Sequence, residues 1–195
     1  MKRYKENIQK YITKEMKDFY KKRTKKHIEL TQKYCKKIFN FYPKKLNGIM
    51  EKGLDHDKSK YKSPEIEPYV LITWDYKCKD DNIEFNLPDY IKDKMNKASS
   101  IHVKSNSHHP EFHSSQTDEL INREDRDAKP KEIVDATKMM DLDIAEMVAD
   151  WCAMSEEKGT NTPKEWADKN VDIRWKFTKD QKELVYDLID KIWSN

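Results

Sequence analysis

Apolar side chains recur every three or four positions through most of the chain, which is the period of a helix that buries one face. Ile8, Ile12, Met16 and Phe19 have this spacing, and it returns in each later segment. The predicted helices cover residues 8–19, 24–41, 43–57, 69–76, 88–102, 131–158 and 178–192. No stretch shows the strict alternation of a strand, so the pattern predicts an all-α fold.

The last of these helices has a clear start signal. Thr178 is followed three residues later by Gln181, and two such residues form a capping box when each side chain bonds to the backbone of the other. Leu184, Leu188 and Ile192 then follow at helical spacing. The sequence therefore predicts a helix that begins next to Thr178 and buries this apolar stripe.

Length and charge favour a single folded domain behind a basic segment. The chain has 195 residues, a net charge of +3 and 11% aromatic residues, so it has enough apolar area for a core. Eleven lysines and arginines fall within residues 1–26, against three acidic residues. We predict a basic amphipathic helix over residues 1–22 and one helical domain over residues 23–195. The charged segment 118–130 is predicted to be a mobile loop or a lid.

Composition excludes several classes of protein. The three cysteines lie far apart and form no C-x-x-C pair, so neither a zinc knuckle nor a disulfide framework is expected. Three glycines are too few for a glycine-rich phosphate loop. No run of residues is apolar enough for a membrane span or a signal peptide. We expect a cytoplasmic protein, in the host cytoplasm if the chain is viral.

Histidines are concentrated in one short stretch of the chain. His102, His108, His109 and His113 lie within residues 101–113 and make up four of the six histidines. Imidazoles that converge on one buried volume leave ring nitrogens unpaired unless a cation lies between them. The cluster therefore predicts a metal site.

Other potential ligands are predicted to face the interior of the same helical domain. His27 precedes Leu30 by one turn on an apolar face, and His56 is followed directly by Asp57. Asp150 lies in the apolar stripe of the segment 131–158, although Asp143 occupies almost the same face two turns earlier. Imidazole and carboxylate ligands suit Fe, Mn, Zn, Co or Mg, and the absence of cysteine ligands argues against a structural zinc site.

The order of these residues, H…HD…H…HH…D, resembles the HD superfamily of metal-dependent phosphohydrolases. The resemblance is carried by His27, His56, Asp57, His102, His108, His109 and Asp150. The histidine pair followed by Glu111 is most similar to the HD-GYP branch, but the Gly-Tyr-Pro triplet of that branch is missing. The segments HDKSK, KSNSHHPEFH and DIAEMVADWCAMSEE also resemble a family of small bacterial and viral HD-like proteins, over most of residues 24–192, without bringing an established activity.

The resemblance implies an HD-like helical bundle that holds one or two divalent metal ions. The first metal ion would be bound by His27, His56, Asp57 and Asp150. Asp57 would bridge to a second metal ion, bound by His102, His108 and His109. The resemblance further implies catalytic roles for Asp57, for Lys60 as a counter-charge to phosphate, and for Glu111 and His113 as proton carriers.

Three functions are compatible with this pattern. The first is hydrolysis of a phosphomonoester or phosphodiester, with a phosphorylated small molecule or a nucleotide as substrate. The second is a di-iron oxygenase that uses the same ligands. The third is a metal-stabilised protein that binds nucleic acid through the basic helix of residues 1–22. The spacing of the ligands does not separate these functions.

Overall fold

The structure is a computed structural model and describes residues 7–115 and 132–193, so the predicted loop or lid at 118–130 lies outside the described residues. Within these ranges the all-α prediction is confirmed, and none of the helices is long and apolar enough to cross a membrane. The helices are α1 (Lys14–Phe41), α2 (Ile49–Asp55), α3 (Ile66–Asp80), α4 (Asp89–Ser105), α5 (Asp141–Lys158), α6 (Pro163–Asn170) and α7 (Lys179–Trp193). Single 3-10 turns span Ile8–Tyr11, Lys58–Tyr61 and Pro110–His113.

Helix α1 is one continuous helix of 28 residues, whereas the sequence pattern predicted two helices in this region. It begins after Thr13, whose side chain accepts a hydrogen bond from the backbone of Met16 at 3.2 Å. No glycine or proline interrupts the segment that follows, so the helix continues until just before Pro43. The predicted boundary between residues 22 and 23 falls inside α1, and the division of the chain at that point stays a prediction.

The region before α5 is where the pattern was least informative. The predicted helix over 131–158 begins ten residues late, at Asp141. In front of it Val134–Asp135 pairs in parallel with Trp175–Lys176, forming the short strands β1 and β2. Val134 is buried and its pairing partner is 41 residues away. Two-residue strands are too short to show alternation, so the sequence could not reveal them.

Two hydrophobic clusters divide the interior. One is formed by α2, α5, α6, α7 and the C-terminal half of α1, and the other by α3, α4 and the N-terminal half of α1. Helix α1 contributes Met16 and Tyr20 to the second cluster and Tyr34 and Ile38 to the first. His27 lies between these two pairs along the same helix. The helices that carry the predicted ligands therefore meet where the two clusters adjoin.

Gly53 lets α2 lie close against α1. A Cβ atom at this position would lie 3.0 Å from the Cys35 Sγ atom and 3.1 Å from its Cβ atom, which is tighter than ordinary van der Waals contact. Cys35 itself is fully buried in the first cluster. This close approach fixes the C-terminal end of α2, and the chain leaves α2 directly into the His56–Asp57 pair.

Candidate metal centre

The His56–Asp57 pair lies in a turn and not in a helix. Helix α2 ends at Asp55, and Asp57 has a left-handed backbone with φ 56°. The prediction that a helix runs on to residue 57 was wrong: His56 already has a non-helical backbone with ψ 129°, and Asp57 then adopts the left-handed conformation that aspartate tolerates better than most residues. The turn brings both side chains into the interior, where each is only 1% exposed.

Two histidines lie near the Oδ2 atom of Asp57, and Asp150 lies beside both of them; we call His27, His56 and Asp150 the first ligand set. The Nε2 atom of His27 lies 3.5 Å from Asp57 Oδ2 and 3.0 Å from Asp150 Oδ1. The Nε2 atom of His56 lies 3.6 Å from Asp57 Oδ2 and 3.3 Å from His27 Nε2. Ligand atoms from α1, α5 and the turn after α2 thus converge on one side of Asp57.

The other oxygen of Asp57 faces His102, His108 and His109, which we call the second ligand set. The Oδ1 atom lies 3.2 Å from His102 Nε2 and 3.8 Å from His108 Nε2. The ring of His109 packs beside both, with centroid distances of 4.9 Å to His102 and 4.2 Å to His108. One atom from each of these three histidines lies within 4.8 Å of the others.

The second ligand set leaves buried polar atoms without hydrogen bonds. These atoms are Asp57 Oδ1 and the Nε2 atoms of His102, His108 and His109. Buried polar groups in folded proteins are almost always paired, and an unpaired one costs about 1–3 kcal/mol. All four atoms are of types that coordinate divalent metals. The donor set is therefore compatible with a bound metal ion.

Two glutamates hold the far side of the imidazole rings. Glu146 Oε1 lies 2.9 Å from His56 Nδ1 and 3.3 Å from His108 Nδ1, and Glu65 Oε2 lies 2.8 Å from His102 Nδ1. A carboxylate at Nδ1 fixes the tautomer in which Nε2 carries the lone pair that a metal needs. We gave neither glutamate a role from the sequence. The sequence signal for Glu146 was a carboxylate among apolar residues of α5, four residues before Asp150.

Burial and neighbouring charges act differently on the individual histidines: the pKa of His102, like that of His27, is raised against burial, in this case by Asp57 and Glu65. Burial acts to lower the pKa of His27, but hydrogen bonds to Asp150 and Asp57 outweigh it and raise that pKa to about 9. In the second set, burial together with the charge of His108 holds the pKa of His109 well below its usual value. Burial also lowers the pKa of His108. His109 and His108 are therefore neutral imidazoles, the form that binds metals.

The charge of Asp57 is balanced within the protein. Burial would raise its pKa, but Lys60, His56 and His102 hold it well below the usual value. The ammonium group of Lys60 donates a hydrogen bond to Asp57 Oδ2. Asp57 is therefore an anion at neutral pH, although it is buried.

Asp150 and Asp143 have different surroundings. Asp143 accepts hydrogen bonds from Lys52 Nζ and, at 2.7 Å, from Ser107 Oγ. Asp150 instead lies beside His27 and His56, at 3.0 and 3.8 Å. The structure thus places Asp150 in the first ligand set and Asp143 outside both sets.

The four residues with predicted catalytic roles are only partly brought together. Lys60 contacts Asp57, as described. Glu111 accepts a hydrogen bond from the Trp175 indole at 2.9 Å. The Nε2 atom of His113 lies 2.8 Å from the backbone oxygen of Ser107. These contacts direct Glu111 towards β2 and His113 towards its own loop, and they give no support to a role as proton carriers.

Residues 16–191 match the model of a family of unknown function, DUF5662. The chain belongs to the DUF5662 family. Both ligand sets and the supporting glutamates of this DUF5662 protein lie inside the matched range. No curated protein and no solved structure matches the chain. The family match does not identify the HD superfamily, so membership of that superfamily is part of the proposal that follows from the site.

Proposed function

We propose that this DUF5662 protein is a metal-dependent phosphohydrolase that acts on a phosphomonoester or phosphodiester, with nucleotides as the first substrates to test. The observation that carries the proposal is the position of Asp57. Its Oδ2 atom faces the first ligand set and its Oδ1 atom faces the second. A carboxylate that lies between two groups of imidazoles suits a site for two metal ions, and pairs of metal ions catalyse phosphoester hydrolysis.

The residues present fit one or two divalent ions. His27, His56, Asp150 and Asp57 Oδ2 would hold one ion, and His102, His108, His109 and Asp57 Oδ1 would hold another. When bound, two such ions would supply charge that binds phosphate oxygens, lowers the pKa of a bound water and stabilises the attacking and leaving oxygens. The order of these ligands along the chain, which resembles that of the HD superfamily, supports this use of the site.

An anionic substrate is expected to approach over Asp150 and Lys60. The side chains of Asp150 and Lys60 are 16% and 19% exposed, whereas those of His56 and Asp57 are at most 1% exposed. Because Lys60 lies at this edge, its ammonium group would donate a hydrogen bond to a phosphate oxygen and offset part of the phosphate charge. The aromatic ring of Tyr69 lies 5.3 Å from Lys60 Nζ and limits where that group can move.

The decisive experiment begins with the metal content of protein purified after growth with Fe, Mn, Co or Zn. The metal-loaded protein is then assayed without oxygen on p-nitrophenyl phosphate, bis-p-nitrophenyl phosphate and a panel of nucleotides. We expect turnover by the wild type and none by Asp57→Ala. Hydrolysis no faster than that of Asp57→Ala on every substrate would refute the proposal.

The same preparation tests the alternative di-iron oxygenase. An oxygenase would load iron in preference to Mn or Co, would show the absorbance band of a bridged diferric centre and would consume oxygen. Hydrolysis with Mn or Co in the absence of oxygen would exclude that reading. The ligand types suit both reactions, and the partly exposed ammonium group of Lys60 beside Asp57 favours the phosphate substrate.

A further inference from the structure

His27 differs from the other well-buried histidines in how its Nδ1 atom is held. The Nδ1 atom is buried and has no hydrogen-bond partner. The nearest carboxylate atom, Glu157 Oε2, lies 3.9 Å away and is also buried and unpaired. Two unpaired buried atoms of complementary type therefore face each other across slightly more than a hydrogen-bond distance.

The other three histidines with a carboxylate at Nδ1 show what a closed contact looks like. His56, His102 and His108 have glutamate oxygens at 2.9, 2.8 and 3.3 Å from their Nδ1 atoms. Glu157 is the remaining glutamate that faces a ligand histidine in the described part of the chain. Glu157 therefore faces the Nδ1 atom of a histidine as the other two glutamates do. The distance from its Oε2 atom to His27 Nδ1 is about 1 Å longer than an ordinary charge-assisted hydrogen bond.

Arg23 anchors the outer side of Glu157. The Nε atom of Arg23 donates to Glu157 Oε1 at 2.9 Å, and the two side chains are 26% and 11% exposed. Arg23 lies one turn before His27 on α1, and Glu157 lies two turns after Asp150 on α5. The ion pair thus spans the two helices that supply His27 and Asp150 to the first ligand set.

We propose that Glu157, held by Arg23, is a positioning residue for His27 and accepts a hydrogen bond from its Nδ1–H group when Nε2 binds a metal ion. This inference rests on the metal centre of the proposed function. Coordination at Nε2 fixes the proton on Nδ1, and Glu157 Oε2 is the buried acceptor that this proton faces. The same contact makes His27 Nε2 a stronger ligand, because a carboxylate at Nδ1 increases the basicity of the ring.

The neighbouring glutamate provides a matched control. Glu156 bonds to Lys33 Nζ at 2.7 Å and to the Tyr34 hydroxyl at 2.6 Å, and the structure gives it no contact with a ligand histidine. Glu156→Ala therefore removes an ion pair of the same kind from the same helix. Glu157→Ala removes the acceptor, whereas Glu157→Gln keeps an acceptor oxygen and removes only the charge.

The first measurement is the affinity for Co²⁺, obtained by competition with a chelator. For the ion of the first ligand set we expect Glu157→Ala to raise the dissociation constant about 10- to 100-fold, the range found for partners of this kind. Glu157→Gln and Arg23→Gln should give smaller increases, and Glu156→Ala should stay within about twofold of the wild type. Equal affinities for Glu157→Ala and Glu156→Ala would overturn the inference.

The second measurement is the proton NMR spectrum of the Co²⁺-loaded protein, in which ring N–H protons of coordinated histidines give strongly shifted, exchangeable signals. The N–H signals of the first ligand set, assigned by their loss in His27→Gln, should all persist in Glu156→Ala, and the His27 signal among them should broaden by solvent exchange in Glu157→Ala. An unchanged signal in Glu157→Ala would contradict the inference while leaving the proposed function intact. A wild type that binds no metal would refute both.

Discussion

The two ligand sets share Asp57 but differ in how they satisfy their own polar atoms. In the first set, His27 Nε2 contacts Asp150 at 3.0 Å and His56 Nε2 at 3.3 Å. In the second set, the Nε2 atoms of all three histidines are buried and have no hydrogen-bond partner. The first set contains a carboxylate of its own, whereas the second contains only imidazoles.

Because of this difference, a proton can pair some of the buried nitrogen atoms of the site, whereas others need a metal ion. A proton shared between His27 and Asp150 neutralises part of the first set, which agrees with the raised pKa of His27. In the second set, His108 and His109 have lowered pKa values, whereas Asp57 and Glu65 raise the pKa of His102 against the effects of burial and Lys60. The Nε2 atoms of His108 and His109 therefore depend most strongly on a metal ion as a partner, because each unpaired buried group is costly.

The largest expected effect follows from removing the residue that both sets share. Asp57→Ala should lose all bound metal, because each ion loses its only common carboxylate and Lys60 is left as an unpaired cation. Metal per chain, measured by mass spectrometry, tests this. Asp55→Ala is the control, since Asp55 is 77% exposed and pairs only with Lys58 in the described contacts. Retention of one ion per chain by Asp57→Ala would contradict the idea of a shared carboxylate.

Single-set variants should separate the two halves of the site. His109→Ala should lose the ion of the second set and keep that of the first, and His27→Ala should do the reverse. The measurement is again metal per chain, together with phosphatase activity, which should fall in both variants. His113→Ala serves as the control, because His113 bonds to the Ser107 backbone. Loss of both ions in His109→Ala would show that the sets are not separable.

The supporting glutamates should distinguish the sets more finely. Glu146 contacts a histidine of each set, whereas Glu65 contacts only His102. Glu146→Gln should therefore weaken both ions, by about 10- to 100-fold in dissociation constant, and Glu65→Gln should weaken only the second. Chelator competition measures both constants. Glu67→Gln, which alters an exposed hydrogen bond to Gln9, should leave them unchanged, and equal effects of Glu65→Gln on both ions would count against this assignment.

The smallest expected effect comes from α2, which carries the turn shared by both sets. Gly53→Ala should lower the free energy of unfolding by roughly 1 kcal/mol, because crowding against Cys35 outweighs the gain in helix propensity. Chemical denaturation of the metal-free protein measures this. Adding Cys35→Ala relieves the contact with Sγ, so the double variant should be more stable than the sum of the single changes. Additive changes would show that the two residues do not crowd each other.

The helical fold was largely readable from the sequence, and so was the set of candidate ligand residues that the structure brings close together. The helical period located most of α1, α4, α5 and α7, because amphipathic spacing is local and each helix buries one face. The ligand residues stood out because imidazoles and carboxylates are rare on buried faces. Helix α6, which begins after the Thr162 cap, was not predicted, although Thr162 and Glu165 form a capping box.

The glutamates that hold the candidate ligand histidines in place could not be predicted from the sequence in the same way. The role of Glu65, Glu146 or Glu157 depends on which ring nitrogen it faces, and that is decided by how distant helices pack. Which of Asp143 and Asp150 is a candidate ligand likewise depends on distant residues, because Lys52 and Ser107 donate hydrogen bonds to Asp143 from two other parts of the chain. That the basic N-terminal helix binds nucleic acid stays a prediction. Measuring how the affinity for RNA or DNA depends on salt concentration would test it.

Helix α1 runs through both hydrophobic clusters, and His27 sits at the point along it where one gives way to the other. The ion of the second ligand set would be coordinated both by His102, whose helix α4 packs in one cluster, and by Asp57, which follows α2 of the other cluster. Its binding free energy would then stabilise the position of the two clusters relative to each other. Removal of the metal should therefore destabilise the boundary between the clusters first. In amide hydrogen exchange, amides within either cluster should stay protected longer than those in the turns that carry the ligands.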